Sequence, residues 1–280
     1  MTTGSGAAPE GVRHDRVHDM SQLREDVPDQ AVAAKWAKIS PLIDRLVERA
    51  GDEADFEHRR DSALTGDDRA TSPYITSHAF RQSLTAAIDH LHAAKTLVHD
   101  VGMLHLGAPA TLARSALENA ATGWWLLEPR GRDERVLRTL RWYSRNFRDQ
   151  HTALDDTTLI PERTLEQKLG KVRAIAAKRG LNPDQAAGGY KMSTVIEAHT
   201  AGTRTDSKFV WQLASGFAHG RPWAYLGALS QDRRPSDEDG IMKVRLTNTV
   251  QLGLWPTLTA LHAVEDTLRL WEQRAGHHRT

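Results

Sequence analysis

ATLARSALENAATGWWLLEP, residues 110–129, decides the fold class. Leu112, Ala113, Ala116, Leu117, Ala120, Ala121, Trp124 and Leu127 recur at helical steps, and Pro129 stops the run. So little polar surface is left that the spacing predicts a helix buried in the middle of a bundle. Before it, Phe80, Leu84, Ile88, Leu91, Lys95, Val98 and Val101 follow the same period, with Ser77 as the expected N-cap and Gly102 as the stop. After it, an amphipathic helix is expected over 133–153, with Val136, Leu140, Tyr143 and Phe147 on its apolar side.

Further out, a helix is expected from Asp29 to Gly51 with a kink at Pro41, and a short one over 53–64 before a turn-rich GDDRATSP at 66–73. Pro161 suits the first turn of a helix over 161–178. Residues 182–189 read as loop, followed by short helices over 193–199 and 206–219. Residues 223–249 form a small hairpin or an ordered loop, and a final helix over 250–273 has a kink at Pro256. Residues 1–28 read as a flexible tail, because few large apolar side chains offset the entropy of ordering them. The expectation is a single all-α domain over 29–280, an antiparallel bundle of about six to eight helices.

The chain has 280 residues, 37 basic against 36 acidic side chains, and no cysteine. That excludes disulfide scaffolds, cysteine nucleophiles and thiolate metal sites, and gives no global attraction to nucleic acid or membrane. No apolar run reaches membrane-spanning length and no secretory signal opens the chain, so a cytoplasmic protein without a membrane partner is expected. No glycine-rich strand-to-helix signature appears, which disfavours nucleotide folds of the Rossmann or P-loop type, and no cofactor is expected. Fourteen histidines invite a metal reading, but His92 and His99 lie about 10 Å apart along one helix, too far to share an ion, and HExxH is absent. No metal site is expected.

Three constellations remain. Arg114 and Glu118 are four apart on the core helix, either as a structural ion pair fixing register or as part of a ligand site. In FVWQLASGFAHGRPW, residues 209–223, Ser215 and His219 are four apart, with Arg221 just beyond. His219 is either a cap on the helix C-terminus or an acid/base group with Arg221 as its fixed charge. Seven arginines crowd residues 130–148, and Arg135, Arg138, Arg141, Arg145 and Arg148 gather opposite the apolar side of their helix. Such a stripe is a solvated face or holds a phosphate backbone.

An RxxxE core helix followed by WWLLxP, and a later SxxxHGxPW at a helix end, resemble the HEPN-like all-helical domains of bacterial proteins. That resemblance implies a helical bundle and, in catalytic members of the superfamily, a metal-independent ribonuclease, frequently dimeric and found in toxin–antitoxin and phage-defence systems. It makes His219 the acid/base, Arg114 or Arg221 the phosphate stabiliser, and Glu118 an orienting group, acting on RNA or a nucleotide. The family's arginine shortly before the histidine has no counterpart here, where the positions hold Gln212, Leu213 and Ala214. Two other functions fit the residues: a regulatory or interaction module whose polar pairs only specify the bundle, and a bundle with a pocket for a small ligand lined by some of the eight tryptophans.

Overall fold

The computed structural model describes residues 28–238 and 240–277. The expected tail falls, except for Pro28, outside the described residues. The helices are α1 (Asp29–Gly51), α2 (Ala63–Thr71), α3 (Thr76–Lys95), α4 (Ala108–Leu127), α5 (Arg132–Leu154), α6 (Leu165–Lys178), α7 (Pro183–Ala187), α8 (Met192–Gly202), α9 (Ser207–Ala218), α10 (Pro222–Ala228) and α11 (Val250–Ala275). Strands β1 (Ser230–Pro235) and β2 (Met242–Thr247) form an antiparallel hairpin between α10 and α11, pairing Asp232 with Arg245 and Arg234 with Lys243. The class is mainly helical, with more helices than the expected six to eight. Among the described residues, no helix is long and apolar enough to cross a membrane.

Helix α4 is the axis of the fold, packed most extensively against α3 and α11 and then against α9 and α8. Its small residues allow that closeness. A Cβ on Gly123 would stand 3.1 Å from the Thr267 methyl of α11, and Thr267 donates its hydroxyl hydrogen to Ala120 O at 2.8 Å. The C-terminal carbonyls of α4, which have no helical partner, are met by Arg274, whose guanidinium donates to Leu127 O, Glu128 O and Pro129 O. Val136, Leu140, Val172 and Ala176 close a second cluster between α5 and α6. A third, around Phe217, Ala224, Leu229 and Leu252, seats α10 beneath the hairpin.

Several expected boundaries move, each for a polar reason. Residues 66–73 are mostly helix α2 and not a turn. Its fully buried Asp67 accepts from Arg135 Nε at 2.6 Å and from Arg132 Nε at 3.2 Å, and buried charges of this kind persist only when paired. Helix α3 begins at Thr76, and Ser77 is no cap. Its N–H and hydroxyl instead donate to the Asp68 carboxylate, nine residues earlier. Helix α6 starts at Leu165 and not at Pro161, because Thr164 and Gln167 form a reciprocal capping box. Helices α1 and α11 run unbroken through Pro41 and Pro256. The segment read as loop over 182–189 contains the five-residue α7, capped by the Asn182 side chain.

Candidate functional site

The sequence candidates separate into two places. On α4, Arg114 Nη2 lies 2.9 Å from Glu118 Oε1, and the same oxygen accepts from Trp211 Nε1 of α9. The Arg114 guanidinium stands 6.0 Å from the centroid of the Trp211 ring. This half-buried trio ties α4 to α9 and spends most of its polar capacity doing so. Ser215 donates its hydroxyl hydrogen back to Trp211 O at 2.7 Å and does not face His219. His219, the residue that ends α9, and Arg221 are exposed. Neither side chain has a hydrogen bond or ion pair among the described residues. Eight residues of helix, about 12 Å, separate Trp211 from His219. The five candidates therefore do not converge on one reacting centre.

The arginines of α5 do not form an open stripe either. Arg135 is 3% exposed and points inward to Asp67. Arg138 donates to Trp125 O and, like Arg141, lies over the Trp125 ring, at 5.2 and 5.7 Å. Arg141 also donates to Gly189 O and Arg148 to Ala187 O, while Ser144 donates to Ala186 O. Together they satisfy the carbonyls at the end of α7, a helix too short to close its own. Burial holds the Arg141 guanidinium below its ordinary pKa. Arg145 and Arg148 are the exposed members of the five, and Arg145 pairs with Asp149 at 2.8 Å. Most of these arginines serve in caps, cation–π contacts and ion pairs, one of the pairs buried.

A different region has the form of a binding site. An open cleft of about 790 Å³ lies between α4, the α8–α9 connection and α11. Its apolar wall includes Trp124, Val210, Trp255 and Leu258. Arg204, His262, Asp266 and Arg269 supply polar groups around them. Arg269 is engaged by Asp266 at 3.3 Å and by Glu265 at 3.7 Å, whereas Arg204 and His262 have no partner among the described residues. Backbone shape matters here: a Cβ on Gly202 would collide with the Trp124 ring, so glycine lets the connection pass over the indole.

Behind that indole sits His199, fully buried on α8, its ring set edge-on to Trp124 at 5.3 Å. Its Nδ1 is 2.8 Å from Ser207 Oγ, while Nε2 has no partner. Burial pushes the imidazole down to about 4, so it is neutral at physiological pH. Sequence reasoning offered a tryptophan-lined pocket as one reading but could not place it, because its residues come from distant segments, none with a local motif. The signal that could have found it is the placement of tryptophans on both α4 and α11.

Compared with protein-family models, with curated proteins and with solved structures, the chain matches none. The chemistry of the site has to be read from its own residues.

Proposed function

We propose that this protein is a helical binding module that takes a small, partly apolar molecule in the cleft between α4 and α11. The observation that carries this reading is the juxtaposition of Trp124 and Trp255 with the unpaired Arg204 and His262. Concave sites with a mainly apolar wall and a few convergent polar groups are where small ligands bind. The Trp255 indole offers an apolar face beside the buried Trp124, and Arg204 offers an uncommitted charge for a carboxylate or phosphate on the ligand. The test is a titration of tryptophan fluorescence with a panel of planar aromatic acids and their uncharged analogues. Expected is saturable quenching that Trp255→Ala weakens by about tenfold, equivalent to ~1.4 kcal/mol, and that Arg204→Ala weakens for the acids only. Quenching that is absent, or that both variants leave intact, sinks the reading.

A second reading follows the HEPN-like resemblance, in which the chain binds or cleaves RNA or a nucleotide, as a dimer or alone. It is favoured by one feature, the exposed and unpartnered His219 and Arg221 at the end of α9. In it His219 moves the proton and Arg221 faces the phosphate, while Arg114, Glu118 and Ser215 support the helix pair from a distance. Incubation with single-stranded RNA in the presence of EDTA should then give cleavage that His219→Ala abolishes, or retention that falls steeply with salt. RNA left intact and unbound at low salt would refute it.

A further inference from the structure

Arg204, the free cation of the cleft, is exposed and has no hydrogen bond or ion pair of its own among the described residues, so only its backbone decides where its charge stands. That backbone is a strap. Residues 203–206 join α8 to α9, and all of residues 202–206 line the cleft. Below the strap lies the Trp124 indole, which a side chain at Gly202 would strike. So short a connection, left unsupported, would sample many conformations, each placing the guanidinium elsewhere.

Two rungs tie the ends of the strap together. The inner one is the His199–Ser207 hydrogen bond, 2.8 Å between Nδ1 and Oγ, with both residues fully buried. The outer one runs from the Lys208 N–H to Thr200 Oγ1 at 3.0 Å, and Lys208 Nζ pairs with Glu197 at 2.8 Å. Between the rungs, Thr203 donates its hydroxyl hydrogen to His199 O and the Ser207 N–H donates to Thr205 O, both at 2.8 Å. A buried imidazole is a costly way to join two helices that already pack together, since an aliphatic pair would fill the space with no polar group left to satisfy. What the polar pair adds is direction. Its hydrogen bond fixes how the end of α8 meets the start of α9, and with that the path of the strap.

Given the cleft as the binding site, we infer that His199 and Ser207, neither of which lines it, are its positioning residues: their bond closes the strap over Trp124 and holds Arg204 where it meets the anionic group of the ligand. A strap shaped before the ligand arrives loses little entropy on binding, and the gain falls to the anionic ligand, whose contact is with Arg204. Loss of the inner rung therefore weakens anion binding selectively. A loss of general stability would weaken charged and uncharged ligands alike.

Calorimetric titration of the full-length protein with naphthoate and with its uncharged amide separates the two. Ser207→Ala should weaken naphthoate about fivefold and the amide by less than about twofold; in an Arg204→Ala background it should change naphthoate by less than about twofold, since changes acting through one contact do not add. Thr139→Val deletes a buried hydroxyl outside the cleft, bonded to Thr76 at 3.1 Å, and as the control for stability should leave both affinities unchanged. Without ligand, tryptic cleavage after Arg204, identified by fragment mass, should run about tenfold faster in Ser207→Ala than in the control. Thr200→Val, at the half-buried outer rung, should move both readouts in the same direction and carries the test if Ser207→Ala does not fold. Equal losses for acid and amide, a loss that persists without Arg204, or unchanged cleavage would overturn the inference while leaving the cleft as a binding site. Failure of the parent protein to bind either compound would defeat the cleft reading, and this inference with it.

Discussion

His199 is a base held where charge is costly. Its ordinary value is 6.5 and its value in the fold is about 4, with burial as the cause. Between those two values the unfolded chain binds a proton that the folded chain rejects, so acidification favours unfolding there. The contribution is complete above pH 6.5, is lost as pH falls toward 4, and changes no further below that. A shift of this size corresponds to about 3 kcal/mol. His199→Asn preserves a polar neighbour for Ser207 and removes the titration. Urea unfolding from pH 7 to pH 4 should therefore show a steeper loss of stability in the parent protein than in the variant. Parallel profiles would mean that the ring takes up its proton without cost. The residue also sets a limit on what spacing can reveal: nothing in its sequence position sets His199 apart from the other histidines, and only its enclosure by Trp124 and Ser207 makes it distinctive.

At the level of elements, α10 rests on α9 through one missing side chain. A Cβ on Gly216 would stand 2.6 Å from Ala224 Cβ and 2.9 Å from the Trp223 ring. Helix propensity favours alanine over glycine by about 1 kcal/mol, and overpacking opposes it by ~1–3 kcal/mol, so the clash decides the sign. Gly216→Ala should destabilise the protein. Gly170→Ala in α6, where nothing lies within 4 Å, should stabilise it by up to about 1 kcal/mol. Chemical denaturation of the two variants distinguishes these effects, and a change of the same sign in both would mean that packing of α10 plays no part. The same reasoning explains which elements were legible in the sequence. Long helices such as α1, α4 and α11 carry their period openly, and the hairpin was one of two options offered for its segment. Helices α2, α7 and α10 were not legible. Their residues look like turns, and they exist because distant partners, Arg135 for Asp67 and Ser144 and Arg148 for the end of α7, complete them.

Across the whole molecule, the class and the buried central helix could be read from residues 110–129 alone, since an apolar period this complete has few other outcomes. The site could not. The candidate pairs were found by spacing on one helix, and spacing does not say what the neighbouring helix brings: Trp211 reached Glu118, and Ser215 turned back to its own backbone. The arginine row gave the same lesson in charge, because its partners are carbonyls and rings that composition does not reveal. One feature of the frame also bears on how the protein is made. The carbonyls that end α4 are closed by Arg274, and Thr267 bonds Ala120, so partners nearly 150 residues apart in the chain must meet before the centre is finished. While a ribosome is still adding α5 to α10, the central helix of the fold has no α11 to lie against. The nascent chain must carry that uncovered helix until α11 emerges, and that interval is its period of greatest exposure to aggregation.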